Sequence, residues 1–134
     1  MPIVFRPSLL PVLVYHDGAA AIDWLTQVFG LDELRRVSDE RGAVLHAELR
    51  WQHGAAMVTS LAADDDGSLA DMVGASWVWA VVDDVDAHHR RAAAAGARIQ
   101  RRPTSVVAGT RSYRALDIEG HRWTFSTHRP APGP

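Results

Sequence analysis

His46 and Glu48 are the residues of this sequence that most resemble a catalytic pair. They are two positions apart in residues 43–51, where side chains alternate as in a half-buried strand, so they share one face. An imidazole beside a carboxylate can act as a general base, or it can supply half of a metal site that has another donor. The alternative is that both side chains are solvated or paired with a nearby arginine.

Two tryptophans, Trp77 and Trp79, are also two positions apart, in residues 76–82. They either line a ligand pocket or fill a core. Val78 and Ala80 already give the opposite face an apolar surface for packing against a helix. A pocket is therefore favoured more strongly here than it is for a tryptophan pair in general. Indole rings offer a large apolar area and a stacking surface for a flat or cationic ligand.

Several arginines are candidates for binding an anion. Arg114 and Arg122 lie in the two strands of a predicted hairpin, and Arg50 lies in an earlier strand. A guanidinium group binds a carboxylate through two parallel hydrogen bonds, but placement on the solvated surface is the alternative for each residue. A further basic cluster is predicted to be a solvated strand edge that discourages strand pairing. Its members are Arg98, Arg101 and Arg102.

The other polar candidates have structural interpretations. His88 and His89 are adjacent on a predicted helix, so they point in different directions and are predicted to lie on a solvated face. His121 belongs to a hairpin turn and is predicted to shape it. The run Asp64–Asp66 lacks the remaining ligands of a calcium loop, which favours a solvated linker.

Composition limits the class of protein. The chain has 134 residues, 47% of them hydrophobic, with a net charge of -2 and no cysteine. These values predict a globular protein that has no thiolate chemistry and does not bind nucleic acid. No apolar run approaches the length of a membrane span, and no signal peptide is recognisable, so a cytoplasmic protein without a membrane partner is expected.

The order of predicted elements repeats within the chain. Asp17 and Gly30 bracket one predicted helix. Asp83 or Asp84 begins a second predicted helix that Gly96 ends, and Asp83 and Gly96 each lie 66 residues after Asp17 and Gly30. An internal repeat of this length indicates two related modules.

The first module, residues 8–60, has predicted strands at 9–15, 31–37, 43–51 and 55–60. In the strand at 43–51, the alternation predicts Leu45, Ala47, Leu49 and Trp51 on one face and Val44 on the face of His46. Residues 61–75 form a predicted linker. The second module, residues 76–129, has strands at 76–82, 97–102, 110–117 and 121–128, with a loop at 103–109 and a frayed tail at 130–134.

Three stretches resemble the glyoxalase/bleomycin-resistance/dioxygenase proteins, the vicinal oxygen chelate superfamily. Residues 15–31 resemble the first helix of that family, and residues 82–97 resemble the opening of its second module. Residues 117–125 resemble its Asp-Pro-x-Gly-His/Asn-x-hydrophobic signature, with Ile118 in place of the usual proline. The resemblance implies an α+β fold of two tandem βαβββ modules whose strands form a curved mixed-sheet half-barrel around a cavity. Members are commonly homodimers.

The same resemblance gives four positions for the metal ligands of the catalytic members. In this chain they fall at Leu10, at Met57 or Val58, at Trp77 and at Thr124, where relatives carry histidine, glutamine or glutamate. None of these side chains is a good ligand for a divalent ion. We therefore expect that this chain has no metal centre of the usual kind and needs no cofactor.

These observations favour a binding protein similar to the bleomycin-resistance branch, which holds a small aromatic or cationic molecule in its cavity. Its predicted ligand-binding residues are Trp77, Trp79, Thr124, His46, Glu48, Arg114 and Arg122. The first alternative is a divalent-metal-dependent lyase, isomerase or dioxygenase of the same superfamily, with His46 and Glu48 in a non-standard ligand set. The second is a module whose concave surface binds another protein.

Overall fold

A computed structural model of the protein describes residues 5–63, 67–106 and 109–130. The predicted linker run Asp64–Asp66 and most of the predicted tail lie outside these residues. The first half contains strands β1 (Val12–Tyr15), β2 (Asp32–Ser38), β3 (Val44–Trp51) and β4 (Gly54–Ser60), with helix α1 (Gly18–Trp24) after β1. The second half contains β5 (Trp77–Val81), α2 (Val85–Ala94), β6 (Arg98–Ser105), β7 (Arg111–Leu116) and β8 (Arg122–Ser126).

Each half of the chain builds one four-stranded mixed sheet. The strand orders are β1-β4-β3-β2 and β5-β8-β7-β6, so the two sheets have the same topology. In each sheet the first and last strands of the half are parallel neighbours, and the remaining pairs are antiparallel. The predicted fold class is confirmed: the structure is α+β, with two βαβββ modules whose sheets remain open.

Both helices begin at the aspartates that the sequence indicated. Asp17 accepts a hydrogen bond from the backbone N–H of Ala20 at 3.0 Å, and Asp84 accepts one from Ala87 at 2.9 Å. Such caps satisfy amide groups that lack partners inside the helix. The first helix widens into a π-helical turn at Leu25–Phe29 and stops at Gly30, whose φ of 88° is a conformation that glycine tolerates best.

The helix-facing sides of the two sheets form one hydrophobic core. Phe29, at the end of the first helical segment, contacts both Trp123 and Phe125 of β8, with ring centroids 5.3 and 4.8 Å apart. Trp51 of β3 also reaches Phe125 at 5.9 Å. The two modules therefore bury their apolar faces against each other, which leaves the opposite side of each sheet open.

The turn between β7 and β8 connects the halves through Asp117. This buried carboxylate accepts hydrogen bonds from the backbone N–H groups of Glu119 and His121 and from the indole N–H of Trp123. It also accepts one from the hydroxyl of Tyr15, in β1 of the other module. Burial, and then the negative charge of Asp117, raise the pKa of Tyr15 well above its ordinary value.

Two details of the predicted strands are wrong. Ser38 pairs with Val44 and Val37 with His46, so Leu45 is an extra residue in a β-bulge. The bulge exposes Leu45 and buries Val44, the reverse of the predicted alternation. The strand predicted to stop before Pro103 continues through it, because β6 is an edge strand that does not need a donor there.

Short 3₁₀ turns at Leu61–Ala63 and Ala70–Met72 occupy the region between the two sheets. Among the described residues, none of the helices has the length and apolar character that a membrane span requires.

Candidate functional site

The open face of the second sheet carries most of the candidate residues. Strand pairing places Trp77 opposite Arg122, Trp79 opposite Thr124, and Arg114 opposite both Thr124 and Arg101. Directly opposed residues project from the same side of a sheet, so these side chains form one surface. We call it the tryptophan–arginine face; its members are Trp77, Trp79, Arg101, Arg114, Arg122 and Thr124.

Trp77 is held in a defined orientation on this face. Its indole N–H donates a hydrogen bond of 2.8 Å to the hydroxyl of Thr124, whose side chain is buried. The guanidinium carbons of Arg114 and Arg122 lie 5.1 and 5.2 Å from the ring centroid, within the range of a cation–π contact. Trp77 is nevertheless 56% exposed, so much of the ring remains available for contact with another molecule.

Trp79 presents a second indole beside the first and is 50% exposed. Its N–H donates to the backbone carbonyl of His128 at 3.3 Å, and the His128 ring meets it edge-on at 6.0 Å. Trp79 also borders a mainly apolar cleft of about 140 Å³ between the modules. This cleft is lined further by Pro11, Leu31, Trp51, Val78 and Trp123.

The arginines of this face lie close enough to influence one another. Burial, followed by the charges of Arg101 and Arg122, lowers the pKa of Arg114 below its ordinary value. Arg101 was predicted to be a solvated residue of a strand edge. β6 is an edge strand, but solvation of Arg101 is wrong, because its side chain is partly buried and donates to the Ser112 hydroxyl at 2.6 Å. The bulges in β6 determine which of its arginines faces Arg114, and the sequence pattern does not reveal them.

His46 and Glu48 lie on the open side of the first sheet. The His46 Nε2 atom and a Glu48 carboxylate oxygen are 2.6 Å apart, and both side chains are about one third exposed. Within the described part of the chain, no hydrogen bond, ion pair or ring contact connects this pair to the tryptophan–arginine face. The structure therefore divides the predicted ligand-binding residues into two groups, one on each sheet.

Residues 9–125 match the family model of the Glyoxalase/Bleomycin resistance protein/Dioxygenase superfamily. The chain belongs to this superfamily. An uncharacterised protein of Mycobacterium bovis is 32% identical to it over 130 residues, covering 93% of this chain and 86% of that protein. The crystal structure of TioX from Micromonospora sp. ML1 is 35% identical, with a TM-score of 0.76, and covers 91% of this chain and 100% of that chain. A glyoxalase/bleomycin resistance protein/dioxygenase from Nocardioides shares the fold, with a TM-score of 0.65 at 16% identity, covering 98% of this chain and 91% of that chain.

The residues at the superfamily's metal-ligand positions do not fit a divalent ion. Leu10 lies in a depression with Glu48, Met57 pairs with Val12, and Thr124 already accepts the Trp77 N–H. Among the described residues, no group of three or more histidine, aspartate or glutamate side chains comes together in a way that could hold a metal. A leucine, a thioether, an indole and an engaged hydroxyl supply no set of oxygen or nitrogen ligands.

Two histidines of this superfamily member have structural roles. His88 was predicted to be solvated, which is wrong: Nε2 lies 2.8 Å from the Phe29 carbonyl, and Nδ1 lies 2.6 Å from the Tyr113 hydroxyl. Because a carbonyl only accepts, Nε2 carries the proton and Nδ1 can accept from the hydroxyl. Burial lowers the pKa of His88. His121 is fully buried at the hairpin turn, 2.8 Å from the Val14 carbonyl.

Proposed function

We propose that this superfamily member binds a small aromatic molecule against Trp77 and Trp79, without a catalytic metal. The observation that carries the proposal is the pair of half-exposed indoles on one open sheet face. Each indole is oriented by a hydrogen bond from its N–H, so little conformational entropy is lost when a ligand stacks against it. Large exposed apolar surfaces in soluble proteins commonly mark binding sites.

The charges of this face favour an aromatic ligand over the cationic ligand that the sequence also allowed. A cationic ligand would enter a surface that already holds three guanidinium groups, two of them against the Trp77 ring. Like charges at short range repel, and the cation–π capacity of Trp77 is already in use. A flat aromatic ring meets neither obstacle, so the aromatic class is the better match.

A panel of aromatic compounds that includes aromatic antibiotics tests this function through tryptophan fluorescence. We expect at least one compound to quench or shift the emission with saturation, and Trp79→Ala to weaken that response at least tenfold. Leu45→Ala is the control, because Leu45 is an exposed apolar residue on the other sheet. If no compound changes the emission, the proposal fails.

The metal-free part of the proposal has its own test. Protein purified without a tag is titrated with nickel, zinc, iron and manganese by calorimetry. The lack of suitable donors at Leu10, Met57, Trp77 and Thr124 leads us to expect binding weaker than millimolar for each ion. A metal bound tightly and in one equivalent would contradict it.

The alternative function is a divalent-metal-dependent lyase, isomerase or dioxygenase, and it rests on the 2.6 Å contact between His46 and Glu48. An imidazole supported by a carboxylate is a recognised arrangement for a general base or for a metal ligand. This function requires that His46→Ala and Glu48→Ala abolish the metal binding or turnover of the wild type. Unchanged behaviour in both variants would exclude it.

We propose further that the protein is a homodimer. The open side of the first sheet exposes several large apolar residues, and a second chain would cover such a surface. They include Val12, Leu34 and Val37. Light scattering after size-exclusion chromatography should give twice the 14.7 kDa chain mass. A mass of one chain at micromolar concentration would contradict the dimer.

A further inference from the structure

Three arginines of the tryptophan–arginine face have no ion-pair partner among the described residues. The strand register places Arg114 opposite Arg101 and Thr124, and Arg122 opposite Trp77 and Leu116. Arg101 also donates to the Ser112 hydroxyl, so none of these neighbours is acidic. The acidic side chains elsewhere in the second module are already engaged. Asp86 binds Arg111 through both carboxylate oxygens at 2.8 and 2.9 Å, and Glu119 accepts the backbone N–H groups of His16 and Asp17.

The same three arginines carry the buried side-chain atoms that lack a hydrogen-bond partner in the described part of the chain. The Nε atoms of Arg101, Arg114 and Arg122 are buried and have no hydrogen-bond partner, and within the described residues no other buried side-chain nitrogen or oxygen lacks one. A buried donor without an acceptor costs free energy that folded proteins usually avoid. That all such atoms lie on one face, beside half-exposed tryptophans, indicates an acceptor that the chain itself does not supply.

The mutual repulsion of these arginines supports the same conclusion. Arg114 is opposite Arg101 on β6, and its pKa is lowered by burial and by the charges of both other arginines. Holding like charges together without a counter-charge destabilises the free protein. Binding sites commonly carry such a cost, because the ligand removes it when it binds.

We propose that the aromatic ligand is an acid, whose carboxylate is held by the guanidinium groups of Arg101, Arg114 and Arg122 while its ring packs against Trp77 and Trp79. This inference rests on the proposed function and specifies its ligand class. A planar carboxylate matches the paired N–H donors of a guanidinium group. A ring bonded directly to the carboxylate lies within reach of the indoles, since Arg114 and Arg122 both contact Trp77.

A matched set of probes with one ring system tests the inference. The probes are 2-naphthoate, its neutral amide 2-naphthamide, and the cation 2-naphthylmethylammonium, each titrated by calorimetry at low ionic strength. We expect the carboxylate to bind at least tenfold more tightly than the amide, and the ammonium compound to bind more weakly than the amide. The preference for the carboxylate should decrease with added salt, because charge interactions at a partly exposed face are screened.

Variants identify which groups produce the preference. Arg114→Gln and Arg122→Gln should each reduce the ratio of carboxylate to amide affinity at least fivefold while leaving amide binding almost unchanged. Arg102→Gln is the matched control: Arg102 is on the same strand as Arg101 but lines a depression on the α2 side, with His89 and Ala93. Thermal unfolding of Arg114→Gln checks that the variant folds, and its midpoint should not fall below that of the wild type.

The outcomes separate this inference from the proposed function. Equal affinity for carboxylate and amide in the wild type, or an unchanged ratio in Arg114→Gln, overturns the inference while aromatic binding stands. If neither 2-naphthoate nor 2-naphthamide binds, the aromatic function loses support, and the anion site is tested with sulfate alone. Sulfate at matched ionic strength should then raise the unfolding temperature of the wild type more than that of Arg114→Gln. An equal rise in both overturns the anion site.

Discussion

The two sheets of this protein have one topology but treat their charged residues in opposite ways. On the open face of the first sheet, His46 pairs with Glu48, and on its helix-facing side Arg36 bonds to Glu33 and to Asp23 of α1 at 2.9 and 3.0 Å. On the second sheet, the three arginines of the open face have no carboxylate partner among the described residues. The half-exposed tryptophans lie beside these unpaired charges.

This difference indicates which module of the duplicated fold binds a ligand. A module needs its helix-facing core to fold, and both modules supply one. The open face is free to diverge, because its residues contribute little to that core. On the open face of the first sheet His46 and Glu48 satisfy each other, whereas the arginines on the open face of the second are arranged for something outside the chain. The second module is therefore the ligand-binding half in our account.

The largest expected difference between the modules is how much a substitution in each hairpin turn lowers the free energy of unfolding. Asp117 accepts hydrogen bonds from Tyr15, from Trp123 and from two backbone N–H groups of its own turn. Asp117→Ala leaves these buried donors unpaired, so we expect a loss of about 3 kcal/mol in the free energy of unfolding. Urea denaturation measures it.

His53 in the corresponding turn of the first module is exposed and provides the control. We expect His53→Ala to change the free energy of unfolding by less than about 0.5 kcal/mol. A similar loss in both variants would show that the two turns contribute equally, against the difference inferred here.

Ligand affinity should depend on the second sheet and not on the first. Trp79→Ala removes a stacking surface, so we expect affinity for an aromatic probe to fall ten- to fiftyfold, or about 2 kcal/mol. Leu45→Ala removes an exposed apolar side chain from the first sheet and should change affinity less than twofold. Fluorescence or calorimetric titration of 2-naphthoate gives both values. A larger loss of affinity in Leu45→Ala than in Trp79→Ala would place the ligand on the first sheet and contradict this assignment.

The helices also differ at equivalent positions. The fourth residue after the N-cap is buried Ala21 in α1 and partly buried His88 in α2. Burial lowers the pKa of His88 from its ordinary 6.5, so the folded state takes up a proton less readily than the unfolded chain. Stability is then fully present above pH 6.5 and decreases as the pH falls through 6.5 towards the folded-state pKa.

Thermal unfolding of His88→Gln between pH 7.5 and pH 5 measures this contribution. Glutamine can donate to the Phe29 carbonyl and accept from Tyr113 without titrating, so the variant should lose less stability than the wild type as the pH falls. His89→Gln changes the neighbouring histidine and should follow the wild-type curve. Identical pH profiles for the wild type and His88→Gln would contradict the assignment.

Local signals in the sequence predicted most of the fold. Asp17 and Gly30 marked one helix, their spacing repeated in the second half, and the alternation around Trp77 and Trp79 placed both indoles on one face. The errors occurred where backbone irregularity decides the outcome. A bulge exposes Leu45, and the free edge of β6 accommodates Pro103. Neither feature follows from the alternation of residue types.

The candidate site was predictable in its residue types and less so in its grouping. Trp77, Thr124, Arg114 and Arg122 do come together, because residues that pair across neighbouring strands share a face. Arg101 joins them through a shifted register that the sequence does not reveal. His88 was misassigned because its partners lie 59 and 25 residues away in the chain, beyond the reach of local patterns.

Chemical-shift mapping by NMR shows directly which of the two sheets binds the ligand. Isotope-labelled protein, stripped of metal with a chelator, is titrated with 2-naphthoate while the backbone amide and indole N–H signals are followed. We expect the largest changes at the indole signals of Trp77 and Trp79 and at the amides of Arg114 and Thr124. Changes concentrated at His46, Glu48 and their neighbours on the first sheet would contradict it.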